Sequence, residues 1–136
     1  MKLRGNKKDM KNKNEKLKSS SGMEYTIDAK GKKLGRVAAE AASILMGKNT
    51  PDFERHIVAP HKVLITNASL ADIDTAKLET KEYDSYTGHP GGLKMEKMKR
   101  LVEKHGYGEA FKLAIEGMLP ANRIAKQMMK NLKVTE

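Results

Sequence analysis

The sequence predicts an α/β fold, because segments with strand-like patterning alternate with segments of helical periodicity. Residues 23–28 alternate in hydrophobicity and residues 62–67 form a β-branched apolar run, and both patterns are typical of strands. Between them, apolar residues recur at helical spacing, at Leu34, Val37, Ala38, Ala41, Ala42 and Leu45. Helices that connect successive strands favour a mainly parallel sheet, which we expect to contain about four strands.

The sequence patterns of the remaining elements are weaker but continue the alternation of strands and helices. Gly47 marks the end of the first helix, and a short helical turn is predicted at residues 68–73. Residues 82–86 are predicted to form a third strand. Three further helices are predicted after it, at residues 95–106, 109–117 and 120–131. The last of them opens with a proline, which is favoured in the first turn of a helix.

The chain divides into a basic arm and one domain. Residues 1–22, the basic arm, are rich in lysine, end in Ser-Ser-Ser-Gly and contain too few apolar residues to fold alone. We expect them to be disordered or extended, and residues 23–136 to form a single α/β domain. A domain of that length buries roughly two-thirds of the surface of its unfolded chain, so it needs no disulfide or metal ion to fold.

Composition excludes several classes of protein. The chain has no cysteine, which removes disulfides, zinc–thiolate sites and cysteine nucleophiles and fits a reducing compartment. No run of 18 apolar residues predicts a membrane span. The first residues lack the apolar core of a secretory signal and the arginine-rich character of a transit peptide. The four histidines show no HxH or HExxH spacing, so we expect no metal ion and no cofactor.

The net charge of +10 is concentrated at the two ends of the chain. The first twenty residues carry eight lysines or arginines against two acidic residues, and residues 95–136 carry nine against five, whereas the middle is balanced. This distribution favours nucleic acid as the partner, ahead of an anionic membrane or a merely solvated surface. Only two phenylalanines and four tyrosines are present, so contacts to phosphate, sugar and shape are favoured over base stacking.

The stretch YTGHPGGLK at residues 86–94, the glycine loop, is the most distinctive local pattern. It contains neither the GxxxxGK[ST] of a P-loop nor the GxGxxG of a dinucleotide site. Its glycines allow the main chain to approach a ribose–phosphate backbone, and Thr87 and His89 offer donors. Lys94 supplies charge at the start of the next predicted helix. A plain connecting turn is the alternative interpretation.

The last predicted helix has one cationic side. Arg123, Lys126 and Lys130 follow one another at i, i+3 and i+7, while apolar residues occupy the opposite side. The pattern predicts a helix that packs with one face and presents the other to a polyanion. A solvated lysine face would give the same pattern.

Three stretches together resemble the large-subunit ribosomal protein thirteen family. They are GKKLGRVAAEAASILMGK at residues 31–48, the glycine loop, and AIEGMLPAN at residues 114–122 with the following KQMMKNLKV. The resemblance covers about residues 25–134 and implies a three-layer α/β/α sandwich. It also implies a protein that binds large-subunit ribosomal RNA during assembly, stays in the cytoplasmic ribosome as a structural component and contacts neighbouring large-subunit proteins. No enzymatic activity, cofactor, small-molecule substrate, membrane contact or homo-oligomer is implied.

The resemblance further implies which residues face RNA. In this chain they are Arg36, Lys48, Thr87, Gly88, His89, Gly91, Gly92, Lys94, Arg123, Lys126 and Lys130. Residues 117–120 are implied to form a joint between two helices rather than an RNA contact. On charge grounds, the basic arm is expected to add RNA contacts from Lys7, Lys8, Lys11 and Lys13.

Four features depart from the family pattern. HIVAPHKV at residues 56–63 lacks the acidic, glycine-containing turn that usually precedes the second strand, and Asp84 and Ser85 stand where basic or aromatic residues are usual. Ala125-Lys126 replaces a Gly-Arg pair, which keeps a charge but loses the bidentate fork of arginine. No histidine-bearing tail follows Glu136, and we expect part of the RNA binding to have moved to the basic arm.

Two other functions are compatible with these patterns. A translational repressor that binds messenger RNA would use the same surface. An RNA- or nucleotide-processing enzyme should instead gather titratable groups at the ends of the strands. The candidates there, Asp28, Asn67 and His89, form no recognised catalytic set.

Overall fold

The structure, a computed structural model, describes residues 22–136, so the expectations for the basic arm, including Lys7, Lys8, Lys11 and Lys13, lie outside the described residues. The strands are β1 (Glu24–Asp28), β2 (Lys62–Thr66), β3 (Glu82–Tyr86), β4 (Leu93–Lys97) and β5 (Leu132–Val134). The helices are α1 (Leu34–Leu45), α2 (Thr75–Thr80), α3 (Met98–His105), α4 (Tyr107–Met118) and α5 (Ala125–Lys130), with a 3₁₀ turn at Ala68–Leu70.

The five strands form two separate sheets. β2 lies between β1 and β5 in an all-parallel sheet, whereas β3 and β4 form a two-stranded antiparallel hairpin. The predicted α/β class and the parallel sheet are confirmed, but this sheet has three strands instead of about four. The polar sequence EYDSY of β3 explains the difference, since a buried parallel strand is nearly continuously apolar.

The core lies between one face of the parallel sheet and the helices. Ile27 of β1 and Val63 and Ile65 of β2 point into it, each less than 5% exposed. The apolar side of α1 packs on these strands, as its periodicity predicted, and α4 packs against α1. Phe111 of α4 is fully buried in the same core. One continuous core therefore fixes the helices relative to the sheet.

The opposite face of the parallel sheet is exposed. Glu24 and Thr26 of β1, Lys62 of β2 and Lys133 of β5 all lie on it and reach solvent. Their neighbours along each strand belong to the core, because side chains alternate between the two faces. Within residues 22–136 the helices cover one face, and the expected three-layer arrangement is not confirmed.

Two helix predictions are wrong at their starts. The glycine loop leads into β4, not into a helix, and Met95 is a strand residue paired with Asp84. The local hairpin pairing takes precedence over the helical spacing, and α3 begins only at Met98. The last helix begins at Ala125 instead of near residue 120, because the Asn122 side chain accepts hydrogen bonds from the amides of Ile124 and Ala125 and closes a turn first.

His61 is a buried histidine directly before β2. It is 5% exposed, and neither ring nitrogen has a hydrogen-bond partner within residues 22–136. Its ring contacts Tyr25 edge-on, with 5.5 Å between ring centroids. Burial lowers the pKa of His61 below its usual value, because the charged imidazolium is disfavoured away from water. Folding therefore favours the neutral form of this side chain.

This burial predicts a pH-dependent stability. The unfolded chain takes up a proton near pH 6.5, where the folded chain resists it, so the free energy of unfolding should fall as pH falls through that value. Urea unfolding from about pH 7.5 to about pH 5 should show a shallower pH dependence for His61→Phe than for the parent chain. His56→Phe, at an exposed histidine, is the control. Identical pH profiles for the parent and His61→Phe would contradict the prediction.

Candidate nucleic-acid interface

The glycine loop is the turn of the β3–β4 hairpin. The Thr87 amide donates to the Gly92 carbonyl at 3.2 Å, and the Gly92 amide donates to the His89 carbonyl at 2.9 Å. Gly88 and Gly91 adopt φ angles of 88° and 75°, in the region that favours glycine. A side chain at Gly92 would collide with the Thr87 hydroxyl and lie 2.9 Å from the His89 carbonyl oxygen. The turn thus requires glycine at these three positions.

The hairpin tip, residues 87–92, exposes unpaired backbone donors. Within residues 22–136, the amides of Gly88, His89 and Gly91 have no hydrogen-bond acceptor. Gly88 and His89 are consecutive, and all three residues are exposed. Successive amides in a turn form a concave donor site that suits an anion. The tip can therefore bind a phosphate oxygen through its main chain.

Lys94 places a positive charge next to this tip, though not in the predicted way. It lies on β4 opposite Ser85 and is exposed, so no helix N-terminus adds to its attraction for anions. The cation and the turn amides belong to the same hairpin. Thr87, Gly88, His89, Gly91, Gly92 and Lys94 are thus brought together as the sequence predicted, by a hairpin instead of a loop before a helix.

Three exposed apolar residues on the hairpin were missed by the sequence analysis. Tyr86, Leu93 and Met95 are 64%, 57% and 64% exposed. Tyr86 pairs with Leu93, and Met95 lies two residues further along β4, so all three share one face. The alternation in LKMEK after the loop was the available signal. Asp84, which pairs with Met95, lies on the same face, so the part free of acidic residues is the end at Tyr86 and Leu93, next to the tip.

Arg36 and Lys48 are exposed at opposite ends of α1. Arg36 borders a cleft of about 480 Å³ that it shares with Lys32 and Lys33. A main-chain bond from Asp72 to the Lys32 carbonyl, at 3.0 Å, holds this turn in place. α1 has 12 residues and is therefore about 18 Å long; Arg36 lies in its first turn and Lys48 three residues beyond its last residue, Leu45. They flank the helix as predicted and lie on separate parts of the surface.

The C-terminal cations lie on or next to α5. Arg123 is in the turn closed by Asn122, while Lys126 and Lys130 are on the helix, and all three are exposed. Residues 117–120, expected to form a joint between two helices, span the end of α4: Gly117 and Met118 are its last residues, and the chain leaves the helix at Leu119, which is buried and extended. Lys130 lines a cleft of about 250 Å³ with Lys62 and Lys133. Neither of these lysines was predicted, because their grouping depends on the pairing of β2 with β5.

The strand-end groups considered for catalysis do not form one site. The Asn67 side-chain amide donates to the Asp28 carboxylate at 2.9 Å, and this bond chiefly lowers the pKa of Asp28. His89 belongs to the hairpin tip instead. Residues 22–136 contain no grouping of three or more histidine, aspartate and glutamate side chains suited to a metal ion. None of the helices described is both long and apolar enough to span a membrane.

Comparison with known proteins assigns the whole described region to one family. A family model described as Ribosomal protein L13 matches residues 22–136. Similar proteins include the large ribosomal subunit protein uL13 of Ruminiclostridium cellulolyticum, 46% identical over 110 residues that cover 81% of this chain and 76% of that protein. The uL13 proteins of Caldanaerobacter subterraneus and Alkaliphilus oremlandii are 43% and 40% identical over the same shares. The chain therefore belongs to the ribosomal protein L13 family.

Proposed function

We propose that the chain is a structural constituent of the large ribosomal subunit that binds large-subunit ribosomal RNA and supports subunit assembly and translation. Family membership supports this role, since its relatives carry the name of a large-subunit protein. In this role it acts without enzymatic activity or a cofactor, within the cytoplasmic ribosome, as one copy beside neighbouring large-subunit proteins. A third layer over the sheet, as the family resemblance implied, would have to cover its exposed face.

The hairpin tip is the observation that carries the RNA-binding part of the proposal. Three unpaired amides and Lys94 face solvent on one hairpin, which matches the oxygens and charge of a phosphate. The apolar face with Tyr86 and Leu93 can pack on a ribose or a base next to that phosphate. These donors read backbone and shape, which is how proteins recognise folded RNA.

The remaining cations add contacts at other points of the surface. They are Arg36, Lys48, Arg123, Lys126 and Lys130, all exposed, together with Lys7, Lys8, Lys11 and Lys13 of the basic arm. Because they lie on separate elements, they suit a folded RNA that surrounds the domain more than a single groove. This multi-point contact also suits a protein that holds RNA segments together during assembly.

Binding through phosphates predicts a steep salt dependence. If about six phosphates are neutralised, affinity for large-subunit RNA should fall roughly a thousandfold between about 50 and 200 mM salt. Filter binding of the full chain to that RNA measures this slope, and sedimentation with large subunits at moderate salt measures retention in the particle. A flat salt response, or loss of the chain while other large-subunit proteins are retained, would overturn the proposed function.

A substitution at the turn tests the hairpin tip directly. Gly92→Ala should weaken RNA binding about tenfold or more, because the new methyl group displaces Thr87 and disturbs the amides that bind phosphate. Gly117→Ala is the matched control, since a methyl group there meets open space in α4 and alanine favours a helix. Circular dichroism would check that both variants fold. Equal RNA affinity of the two variants would contradict the role given to the tip.

Removal of residues 1–22 tests the basic arm. The arm carries most of its charge as lysine, so the truncated chain should bind RNA more weakly and with a smaller salt slope. The same titration series measures both quantities. Unchanged affinity and slope would show that the arm contributes no RNA contact.

A further inference from the structure

The exposed face of the parallel sheet is a second candidate surface. Register places Glu24 beside Lys62 and Thr26 beside Leu64, with Lys133 next to Leu64 on the other side. Lys62, Lys130 and Lys133 border the cleft over this end of the face. The face belongs to a different sheet from the hairpin, so it is separate from the tip described above.

An uncovered face is unusual for a sheet of this kind. All-parallel sheets occur almost only with both faces covered, because their crossover helices pack on them. Here the exposed face is polar: Leu64 is its only large apolar residue and is half-buried. A helix needs an apolar surface to pack on, and a protein interface needs a core of aromatic or apolar residues. The cover that suits this face is therefore polar and charged.

The charges on the exposed face indicate which kind of partner could cover it. Lys62, Lys130 and Lys133 gather at one end, and no carboxylate of residues 22–136 pairs with Lys130 or Lys133. Glu24 lies 3.6 Å from Lys62 and offsets part of one charge. At the other end, Asp28 would repel an anion. The favourable position for an anion is thus the lysine end, where Thr26 and Asn131 add polar groups.

We propose that this lysine end of the sheet binds a second segment of large-subunit RNA through its phosphates. The inference rests on the proposed function and adds to it a contact surface of Lys62, Lys130 and Lys133 on the open sheet. The basic arm is disfavoured as the cover, because its own excess of lysine would face these lysines. Contact through both the hairpin and the sheet would let one domain bridge two parts of the RNA.

The first test compares two double variants of equal charge. Lys62→Gln with Lys133→Gln should reduce the salt slope of RNA binding by about two and weaken affinity by roughly tenfold to a hundredfold at low salt. Lys99→Gln with Lys112→Gln removes the same charge from α3 and α4 and should change the slope much less. Equal slopes for the two double variants would overturn the inference.

The outcomes separate this inference from the proposed function. Suppose that the parent chain binds RNA and that Gly92→Ala weakens the binding, but that the Lys62/Lys133 double variant has the same salt slope as the Lys99/Lys112 control. In that case only the inferred contact at the sheet is wrong. If the parent chain does not bind large-subunit RNA, the proposed function fails and the sheet contact fails with it.

The second test reports contact directly. The chain has no cysteine, so Thr26→Cys provides a single attachment point on the exposed face for a reagent that cleaves nearby RNA. In reconstituted large subunits, we expect cleavage of the RNA near this position. Absence of RNA cleavage, together with cross-linking from the same cysteine to a neighbouring protein, would overturn the inference in favour of a protein partner.

Discussion

The packing of α1 on one face of the parallel sheet is the constraint on which the other features depend. Ile27, Val63 and Ile65 point towards this helix, so the alternate residues of the same strands must point away from it. This alternation turns Lys62 and Lys133 outwards and groups them with Lys130. Apolar burial on one face therefore turns the polar and charged residues of the strands to the other face, and the lysines among them gather at one end.

The β3–β4 hairpin, unlike the parallel sheet, has few contacts with the core. Only Tyr83 and Glu96 of its strands and Gly92 of its turn are shielded from solvent, and the rest of β3, the tip and β4 is exposed. A turn that satisfies all its amides internally would present a neutral surface, whereas this one leaves three donors unpaired among residues 22–136. These three donors are the groups that we propose to bind phosphate.

The sequence was sufficient where one local pattern determined the structure. The helix predicted from the periodicity of α1 and the strand predicted from the β-branched run of β2 are confirmed, because each pattern is continuous along the chain. The prediction was wrong where the structure of a segment depends on the strand with which it pairs. The start of the predicted helix looked helical because Met95, Met98 and Leu101 have helical spacing, yet pairing with β3 makes its first three residues, 95–97, part of β4.

Short elements were missed for the same reason. β5 has three residues and is recognisable only through its pairing with β2, and α2 has six residues with no buried side chain. The exposed sheet face could not be predicted because it requires knowing which face the helices cover. The sequence therefore did not identify Lys62 and Lys133 as candidate RNA contacts, although they lie beside Lys130, which it did identify.

The central claim is that the unpaired amides of the hairpin tip are bound by RNA phosphates. Hydrogen exchange at Gly88, His89 and Gly91, compared between the free chain and the assembled large subunit, tests it most directly. We expect rapid exchange of these amides in the free chain, because they have no acceptor within residues 22–136, and strong protection in the subunit. Equally rapid exchange in both states would contradict the account.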